Sequence, residues 1–450
     1  MSIATDTIAA IATPAGRGAL GILRLSGPLA PHIAERIAGA LPPPRQAALR
    51  HFRDADGSVI DQGLVLVFPG PHSFTGEDVV ELQGHGGPVL LDLLLRSACA
   101  HGARVARPGE FSERAFLNDR IDLAQAEAIA DLIDAASVQA ARAASRSLDG
   151  EFSRRVNALV EELIQLRVFV EGALDFSDED VDWLADARLR ERLDALDAHL
   201  RGLLAQAAQG RRLREGITVT LTGAPNVGKS TLLNRLAGTD AAIVTDIAGT
   251  TRDVLRESLV LDGMPLTLVD TAGLRESDDP VEREGIRRAW QALAQAEIAL
   301  YLIDDTAGWT PQDEALAAQL PPQARVLVLA NKCDLSGRKA QRLQIGGRDA
   351  LRLSAADGSG VPLLIAAIRE IAGLGDATEH AFSARTRHVD ALRRAQASVH
   401  DARKRLDEGA TPELAAEELR LAQDALSEIT GAFGSDDLLG RVFSQFCIGK

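Results

Sequence analysis

The chain has 450 residues, 46% of them hydrophobic and 25% charged, with a formal net charge of −15. It is too long for one core, so about two to four domains are expected. The acidic balance excludes a protein that coats nucleic acid by charge alone, and leaves room for a local basic patch or a basic partner.

Three scattered cysteines, Cys99, Cys333 and Cys447, exclude a disulfide framework and a zinc site and fit a reducing compartment. The start, Met1 to Asp6, lacks the basic and apolar pattern of a signal peptide. No apolar run reaches about eighteen residues, so no membrane insertion is expected. The expected location is the cytoplasm.

Ten of the eighteen prolines lie between Pro14 and Pro108, and the next is Pro225. That spacing divides the chain. Residues 1–118 read as a mixed α/β domain. Ile8 to Ala12 and Ala19 to Leu25 are strand candidates around the turn Pro14 to Gly18. Gly63 to Phe68 and Asp78 to Leu82 are two more, and Gly87 to Ala100 reads as a helix. Pro42 to Pro44 reads as a loop.

Residues 119–215 are rich in Ala, Leu, Glu, Arg and Asp, which is helical composition. Ile121, Ala124, Ala128, Leu132 and Ala135 form one apolar stripe, and Val156, Leu159, Leu163, Leu166 and Val170 a second. The acidic run Asp175 to Asp182 reads as a solvated loop or helix start rather than a metal site. The helical pattern returns over residues 376–450, through Leu392, Leu406, Leu414, Leu426 and Leu438. A nucleotide-binding domain over residues 216–375 thus interrupts a helical one.

That middle segment carries the clearest chemistry. The apolar run Ile217 to Leu221 leads into Gly223-Ala224-Pro225-Asn226-Val227-Gly228-Lys229-Ser230, and Thr231 to Leu236 then reads as a helix. The glycines let backbone N–H groups turn inward toward phosphate oxygens. Lys229 supplies a point charge, Ser230 a hydroxyl for Mg²⁺, and the helix its positive end. Asp270, at the end of Leu266 to Val269 and before Thr271-Ala272-Gly273, can hold Mg²⁺ through water, and the Gly273 N–H can meet a γ-phosphate.

Asn331-Lys332-Cys333-Asp334 follows the apolar run Arg325 to Ala330. The Asp334 carboxylate can accept both N1–H and the exocyclic amine of guanine, a donor pair that adenine lacks. The expectation is a GTPase. Ser354-Ala355 supplies a backbone contact to guanine O6. Thr245-Asp246-Ile247-Ala248-Gly249-Thr250-Thr251 lies between the phosphate loop and Asp270. Thr251 there is placed to complete the Mg²⁺ shell only when the γ-phosphate is present.

Ras-like proteins carry a water-orienting glutamine directly after the D-x-x-G glycine. Here that residue is Leu274, which can neither orient water nor offset charge. Asn226 can offer its amide oxygen to a monovalent cation, and Glu282 can hold the attacking water. The plainer readings are a surface loop residue for Asn226 and a solvated helix residue for Glu282.

Taken together, Thr245 to Asp253, Asp270 to Arg275 and the terminal Phe446-Cys447-Ile448-Gly449-Lys450 resemble the MnmE (TrmE) family of tRNA uridine-modification GTPases. So do Asp6 to Ala10, Gly16-Arg17-Gly18, Phe74 to Asp78, His85-Gly86-Gly87 and Arg107 to Phe116. The match covers essentially the whole chain. It implies an N-terminal α/β folate-binding and dimerisation domain, a helical domain, and a Ras-like P-loop GTPase domain inserted into the helical one. It also implies a homodimer that works with an FAD-dependent partner (MnmG, or GidA) and adds an aminomethyl or carboxymethylaminomethyl group to C5 of the tRNA wobble uridine.

By the same resemblance, Asn226, Thr245, Ile247 and Thr250 surround K⁺, Ser230 and Thr251 hold Mg²⁺, and Glu282 orients water. Closure of paired G domains around K⁺ and GTP activates hydrolysis. Arg24, Glu81, Arg120 and Lys450 match the family's reduced-folate pocket. Some relatives have lysine where Arg120 stands, which keeps the charge but not the geometry.

From the residues alone, Arg24 and Glu81 read as ordinary strand positions. Cys447 reads either as a nucleophile near Lys450 or as part of a docked terminal segment. Prenylation is not expected, because Cys-Ile-Gly-Lys lacks the second aliphatic residue and ends in lysine. The rival reading is a ribosome-assembly or regulatory GTPase switch, which would be expected to carry a basic RNA-binding module that this chain lacks.

Overall fold

The computed structural model describes residues 6–175, 187–238, 242–244, 256–270, 296–318, 320, 322–373, 381–408, 412–432, 442, 443, 446 and 449. They fall into two compact units. One runs to Ala130 and takes in the described residues from Leu426 onward; the other spans Asp131–Ala425.

The first unit is built on a six-stranded sheet. Its strands are β1 (Ile8–Ile11), β2 (Gly18–Ser26), β3 (Ala48–Arg53), β4 (Val59–Phe68), β5 (Val79–Gly86) and β6 (Arg104–Val105), in the spatial order β3-β4-β5-β2-β1-β6. All neighbours are antiparallel except β1 and β6. Side chains alternate across a strand. Leu23, Leu25, Val65, Val67, Val80 and Leu82 therefore share one buried face with Ile33, Ile37 and Leu94 from α1 (Ala30–Ala38) and α2 (Pro88–Ala100). Each such side chain contributes about 1.5–3 kcal/mol by leaving water. Arg24 and Glu81 fall between these positions, on the other face.

The four expected strands and the expected helix are present. β4 starts at Val59, ahead of the expected Gly63, because Asp61 and Gln62 break the apolar pattern after Ile60. Helix α1 and strand β3 were not legible. Pro31 sits in the first turn of α1, where proline is tolerated but reads as punctuation. β3 buries only Phe52, as an edge strand can. Helices α3 (Glu110–Leu117) and α4 (Leu123–Ile133) follow.

The expected stripe on α4 is corrected in part. Ala135 lies beyond the helix and Leu132 is 37% exposed, while Leu123, Ala124, Ala126 and Ala128 are buried. The polar neighbour Asp131 is buried in place of Leu132, because Arg214 and Arg385 pair with its carboxylate. The second stripe is as expected: Val156, Leu159, Leu163, Leu166 and Val170 are all buried along α6 (Glu151–Asp175). Helix α5 (Val138–Leu148) precedes it, its N-terminus capped by the Ser137 hydroxyl accepting from the Ala140 N–H. Helix α7 (Ala187–Glu215) leads to the second sheet.

That sheet has eight strands: β7 (Ile217–Gly223), β8 (Ala242–Val244), β9 (Arg256–Leu261), β10 (Met264–Asp270), β11 (Ile298–Asp304), β12 (Arg325–Asn331), β13 (Gln341–Ile345) and β14 (Arg348–Arg352). Their spatial order is β13-β14-β12-β11-β7-β10-β9-β8. β14, β12, β11, β7 and β10 are parallel. β11 is buried along almost its whole length, as a central parallel strand covered on both faces must be. α8 (Lys229–Ala237), α9 (Pro311–Ala317), α10 (Cys333–Ser336) and α11 (Val361–Ile371) lie between and after its strands in sequence, and Leu232, Leu236, Leu364 and Ile368 of α8 and α11 pack into its core. α12 (Thr386–Asp407) and α13 (Pro412–Thr430) resume the helical pattern.

Among the described residues no helix is long and apolar enough to cross a membrane. No cluster there has the makings of a metal site built from His, Cys, Asp and Glu. The acidic run past Asp175 lies outside the described residues.

Candidate nucleotide site and a second polar site

Parallel strands direct their C-terminal ends to one edge of a sheet, and ligands bind along that edge. Here β7 ends at Gly223, β10 at Asp270, β11 at Asp304, β12 at Asn331 and β14 at Arg352. Among the described residues, Gly223 to Thr231, Asn331 to Asp334 and Ser354-Ala355 therefore follow strand ends on one edge, because β7, β12 and β14 run parallel in one sheet.

The phosphate loop turns on two glycines. Gly223 has φ +139°, and a Cβ there would stand 2.2 Å from the Leu302 carbonyl oxygen. Gly228 has φ +100°, and its Cβ would lie 2.4 Å from Asn331 Nδ2. No other residue fits either position. Asn226 itself is left-handed at φ 62° and exposed, a conformation that costs energy in a residue with a side chain. Val227 is buried, and Ser230 and Thr231 lie exposed in the first turn of α8. Lys229 Nζ donates to the Gly223 and Ala224 carbonyls at 2.8 and 2.9 Å, which holds the ammonium over the loop.

Asn331 joins three motifs. Its Nδ2 donates to the Val227 carbonyl at 2.8 Å, and its Oδ1 accepts from the Ala355 N–H at 2.9 Å. The side chain is buried, so both bonds are made without competition from water. Ser354 is fully buried, and its hydroxyl accepts from the Asp357 N–H at 3.3 Å. Asp334 is exposed in the first turn of α10, free of the core.

Sequence reasoning placed Lys332 in the guanine motif but missed the partners that brace this edge. Lys332, left-handed at φ 67°, donates to Asp304 Oδ2 at 2.8 Å. That bond, with the Thr306 hydroxyl, holds the Asp304 carboxyl down to about 2. Burial pushes Asp305 up, yet the Ser336 hydroxyl and the Arg352 guanidinium, Nε at 2.9 Å, keep it below its ordinary value. Arg235 on α8 donates to the Ala355 carbonyl at 3.1 Å, which ties the phosphate-loop helix to the guanine loop. The only advance signal was two adjacent aspartates at the end of an apolar run.

Asp270 closes β10 and is described by its backbone alone. Thr245, Asp246, Ile247, Ala248, Gly249, Thr250 and Thr251 lie outside the described residues. So do Thr271, Ala272, Gly273, Leu274 and Glu282.

The first unit holds a second polar site. Arg24 and Glu81 are cross-strand partners on β2 and β5. Arg24 Nε and Nη2 donate to Glu81 Oε1 at 3.0 and 2.9 Å, and Gln83 Nε2 donates to Glu81 Oε2 at 3.1 Å. The guanidinium lies 5.7 Å from the Phe74 ring centre and 5.8 Å from that of Phe111, within cation–π range. Arg120 is exposed, and its aliphatic stem packs over Gly76, two residues from Phe74. Gly449 packs against the Ile11 carbonyl at the end of β1, and Phe446 against Gly109. The terminal segment is therefore docked on this unit at its described positions. Cys447 and Lys450 lie outside the described residues.

The loop bearing Phe74 is held by an ion cluster that sequence reasoning also missed. Glu77 accepts from Ser26 Oγ at 2.7 Å and from Arg114 Nη1 at 3.1 Å. Arg114 Nη2 donates to Asp6 Oδ1 at 2.7 Å and Glu110 Oε1 at 3.2 Å. Burial opposes the charge on Glu110, but Arg104, the Arg107 N–H and Arg114 bring its carboxyl down to about 2.

Residues 7–120 match the family model "GTP-binding protein TrmE N-terminus", and residues 123–447 match "MnmE helical domain". A tRNA modification GTPase MnmE from Nitrosococcus oceani is 55% identical over 446 residues, 99% of this chain and 97% of that one. One from Sodalis glossinidius is 55% identical over 453 residues, 99% of each. Among solved structures, Aquifex aeolicus Era bound to GDP and AlF4⁻ aligns with 40% of this chain and 66% of its own. Its identity there is 26% and its TM-score 0.27, an overlap too partial to bear on the fold. With two family models that tile residues 7–120 and 123–447, and relatives matched from end to end, the chain belongs to the MnmE family of tRNA modification GTPases.

Proposed function

We propose that this protein hydrolyses GTP to drive modification of the wobble uridine of certain tRNAs. It acts as a cytoplasmic homodimer with an FAD-dependent partner of the MnmG (GidA) kind. The product carries an aminomethyl or carboxymethylaminomethyl group at C5. The observation that carries this reading is the 55% identity over 99% of the chain to a tRNA modification GTPase, with the phosphate and guanine motifs joined through Asn331.

In this reading the N–H groups of residues 226–231 and the Lys229 ammonium hold the phosphates. Asp334 selects guanine, with Ser354 and Ala355 at its O6. Ser230 and Thr251 would hold Mg²⁺, which offsets phosphate charge, and the exposed hydroxyl of Ser230 on the first turn of α8 fits that task. Asn226, Thr245, Ile247 and Thr250 would hold K⁺, which supplies the positive charge that a catalytic arginine supplies elsewhere. The exposed, left-handed Asn226 fits a cation ligand better than a packing role. Glu282 would orient the attacking water in the place that Leu274 cannot fill.

Arg24, Glu81, Arg120 and Lys450 would hold reduced folate, which supplies the one-carbon unit. A carboxylate suits a pterin edge, cations suit a glutamate tail, and Phe74 and Phe111 beside Arg24 suit a flat ring. The corresponding domains are 1–118 for folate binding and dimerisation, 119–215 and 376–450 for the helical domain, and 216–375 for the inserted G domain. Deleting the gene and analysing tRNA nucleosides tests the reading. Loss of the C5-aminomethyl derivatives is expected, and unchanged nucleosides with a ribosome-subunit defect would overturn it.

A further inference from the structure

The charged cluster around Asp131 belongs to neither ligand site. Asp131 sits near the end of α4 with its side chain 4% exposed. Its Oδ1 accepts from Arg214 Nε at 2.6 Å and from Arg385 Nη2 at 2.7 Å. Its Oδ2 accepts from Ser383 Oγ at 2.5 Å.

These partners are remote in sequence but share a position in the chain's path. Arg214 stands just before β7, where the chain enters the sheet of the nucleotide site. Ser383 and Arg385 stand just before α12, after the chain has left that sheet. A second tie runs beside the first: Glu215 accepts from the Thr386 N–H at 3.3 Å and from its hydroxyl at 3.0 Å. Ser383 also donates its N–H to the Ala143 carbonyl on α5 at 3.0 Å, and Ser147 Oγ donates to the Ser383 carbonyl at 2.9 Å. At Gly210 a Cβ would stand 1.9 Å from the Phe382 carbonyl oxygen. The entering and leaving segments are thus stitched to each other and to flanking helices.

A cavity of about 320 Å³ lies against the cluster, lined by Asp131, Ala140, Ala143, Leu213, Arg214 and Ser383. Close packing normally fixes one element against another. On this side it cannot, so directional, charge-assisted bonds set the position. A buried carboxylate shared by two guanidinium groups resists separation, because parting them leaves buried charge without its partner. When one crossing turns, the other must turn with it.

We propose that Asp131 is a positioning residue that couples nucleotide-dependent movement of the P-loop sheet to the helices flanking it in sequence, and so to tRNA modification. This rests on the reading above that GTP turnover drives that modification.

The test uses full-length Asp131→Asn and, at the exposed second tie, Glu215→Ala. Each is purified for GTP binding and hydrolysis, and each is expressed at matched level in cells lacking the native gene for tRNA nucleoside analysis. GTP affinity and hydrolysis are expected to stay within about twofold, while modified uridine falls by about tenfold or more. A fall in modification without a matching fall in hydrolysis, in either folded variant, supports the coupling role. No such uncoupling in any variant that folds overturns it; should Asp131→Asn fail to fold, Glu215→Ala decides alone. A wild-type copy that fails to restore the modification would instead overturn the functional reading.

Discussion

The side-chain amide of Asn331 donates to the main-chain carbonyl of Val227 at 2.8 Å, across 104 residues of sequence. One residue of the guanine motif therefore shapes the phosphate loop. The other end of the same amide accepts from Ala355 at 2.9 Å, so the Gly223–Ser230 loop and the Ser354-Ala355 loop are held by a single buried group.

Asn331→Ala removes both bonds and strands a buried carbonyl and a buried N–H. Each stranded group costs about 1–3 kcal/mol. The expected result is a drop in thermal stability of the second unit together with a loss of GTP affinity of about a hundredfold. Fluorescent-nucleotide titration beside a melting curve checks both. An unchanged affinity would mean that the phosphate loop keeps its shape without Asn331.

Asp334→Asn should change base preference rather than fold, because the side chain is exposed. Under the proposed base contact, guanine would keep only a neutral bond to the amide oxygen and would meet an amide donor with its own amine, losing about 1.5–3 kcal/mol or more. Xanthine, with a carbonyl in place of the amine, gains a donor. Competition between GTP and XTP reads the exchange, and equal losses for both nucleotides would argue against direct base contact.

Hydrolysis should be much faster in K⁺ than in Na⁺ at equal ionic strength, and Asn226→Ala should remove the difference. Glu282→Ala should cripple hydrolysis with GTP binding nearly intact, as expected of a group acting in the transition state. Equal rates in the two salts would remove the cation role from Asn226. Binding weakened as much as turnover would make Glu282 structural.

The first unit should be acid-sensitive through Glu110. Its carboxyl is depressed from 4.5 to about 2 in the folded chain. A depressed carboxyl stabilises above its unfolded value, and that contribution is lost as pH falls through the folded one. That contribution should fade as pH falls from about 4.5 to about 2. Glu110→Gln should flatten this part of the curve when unfolding is followed against pH. A variant with the wild-type slope would place the titration elsewhere.

Sequence alone was enough for whatever depends on local pattern. The strand, glycine loop and helix around Gly223 to Leu236 are written in residue types, as is the guanine motif at Asn331 to Asp334. Sites made by pairing across strands were not. Arg24 and Glu81 alternate like any polar strand residues, and only the β2–β5 register brings them together. Asp304 gains meaning from facing Asn331 across β11 and β12. Asp131 broke the α4 stripe for the same reason: periodicity favours burying Leu132, but two distant arginines compensate a buried carboxylate instead.

The most direct test is reconstitution with the purified protein, its flavin-dependent partner, reduced folate, K⁺ and unmodified tRNA. The measured quantity is C5-modified wobble uridine formed with GTP or with a non-hydrolysable GTP analogue. Modification with GTP and little or none with the analogue is the predicted result. Equal modification with the analogue, or with no nucleotide, would contradict the claim that hydrolysis drives the chemistry.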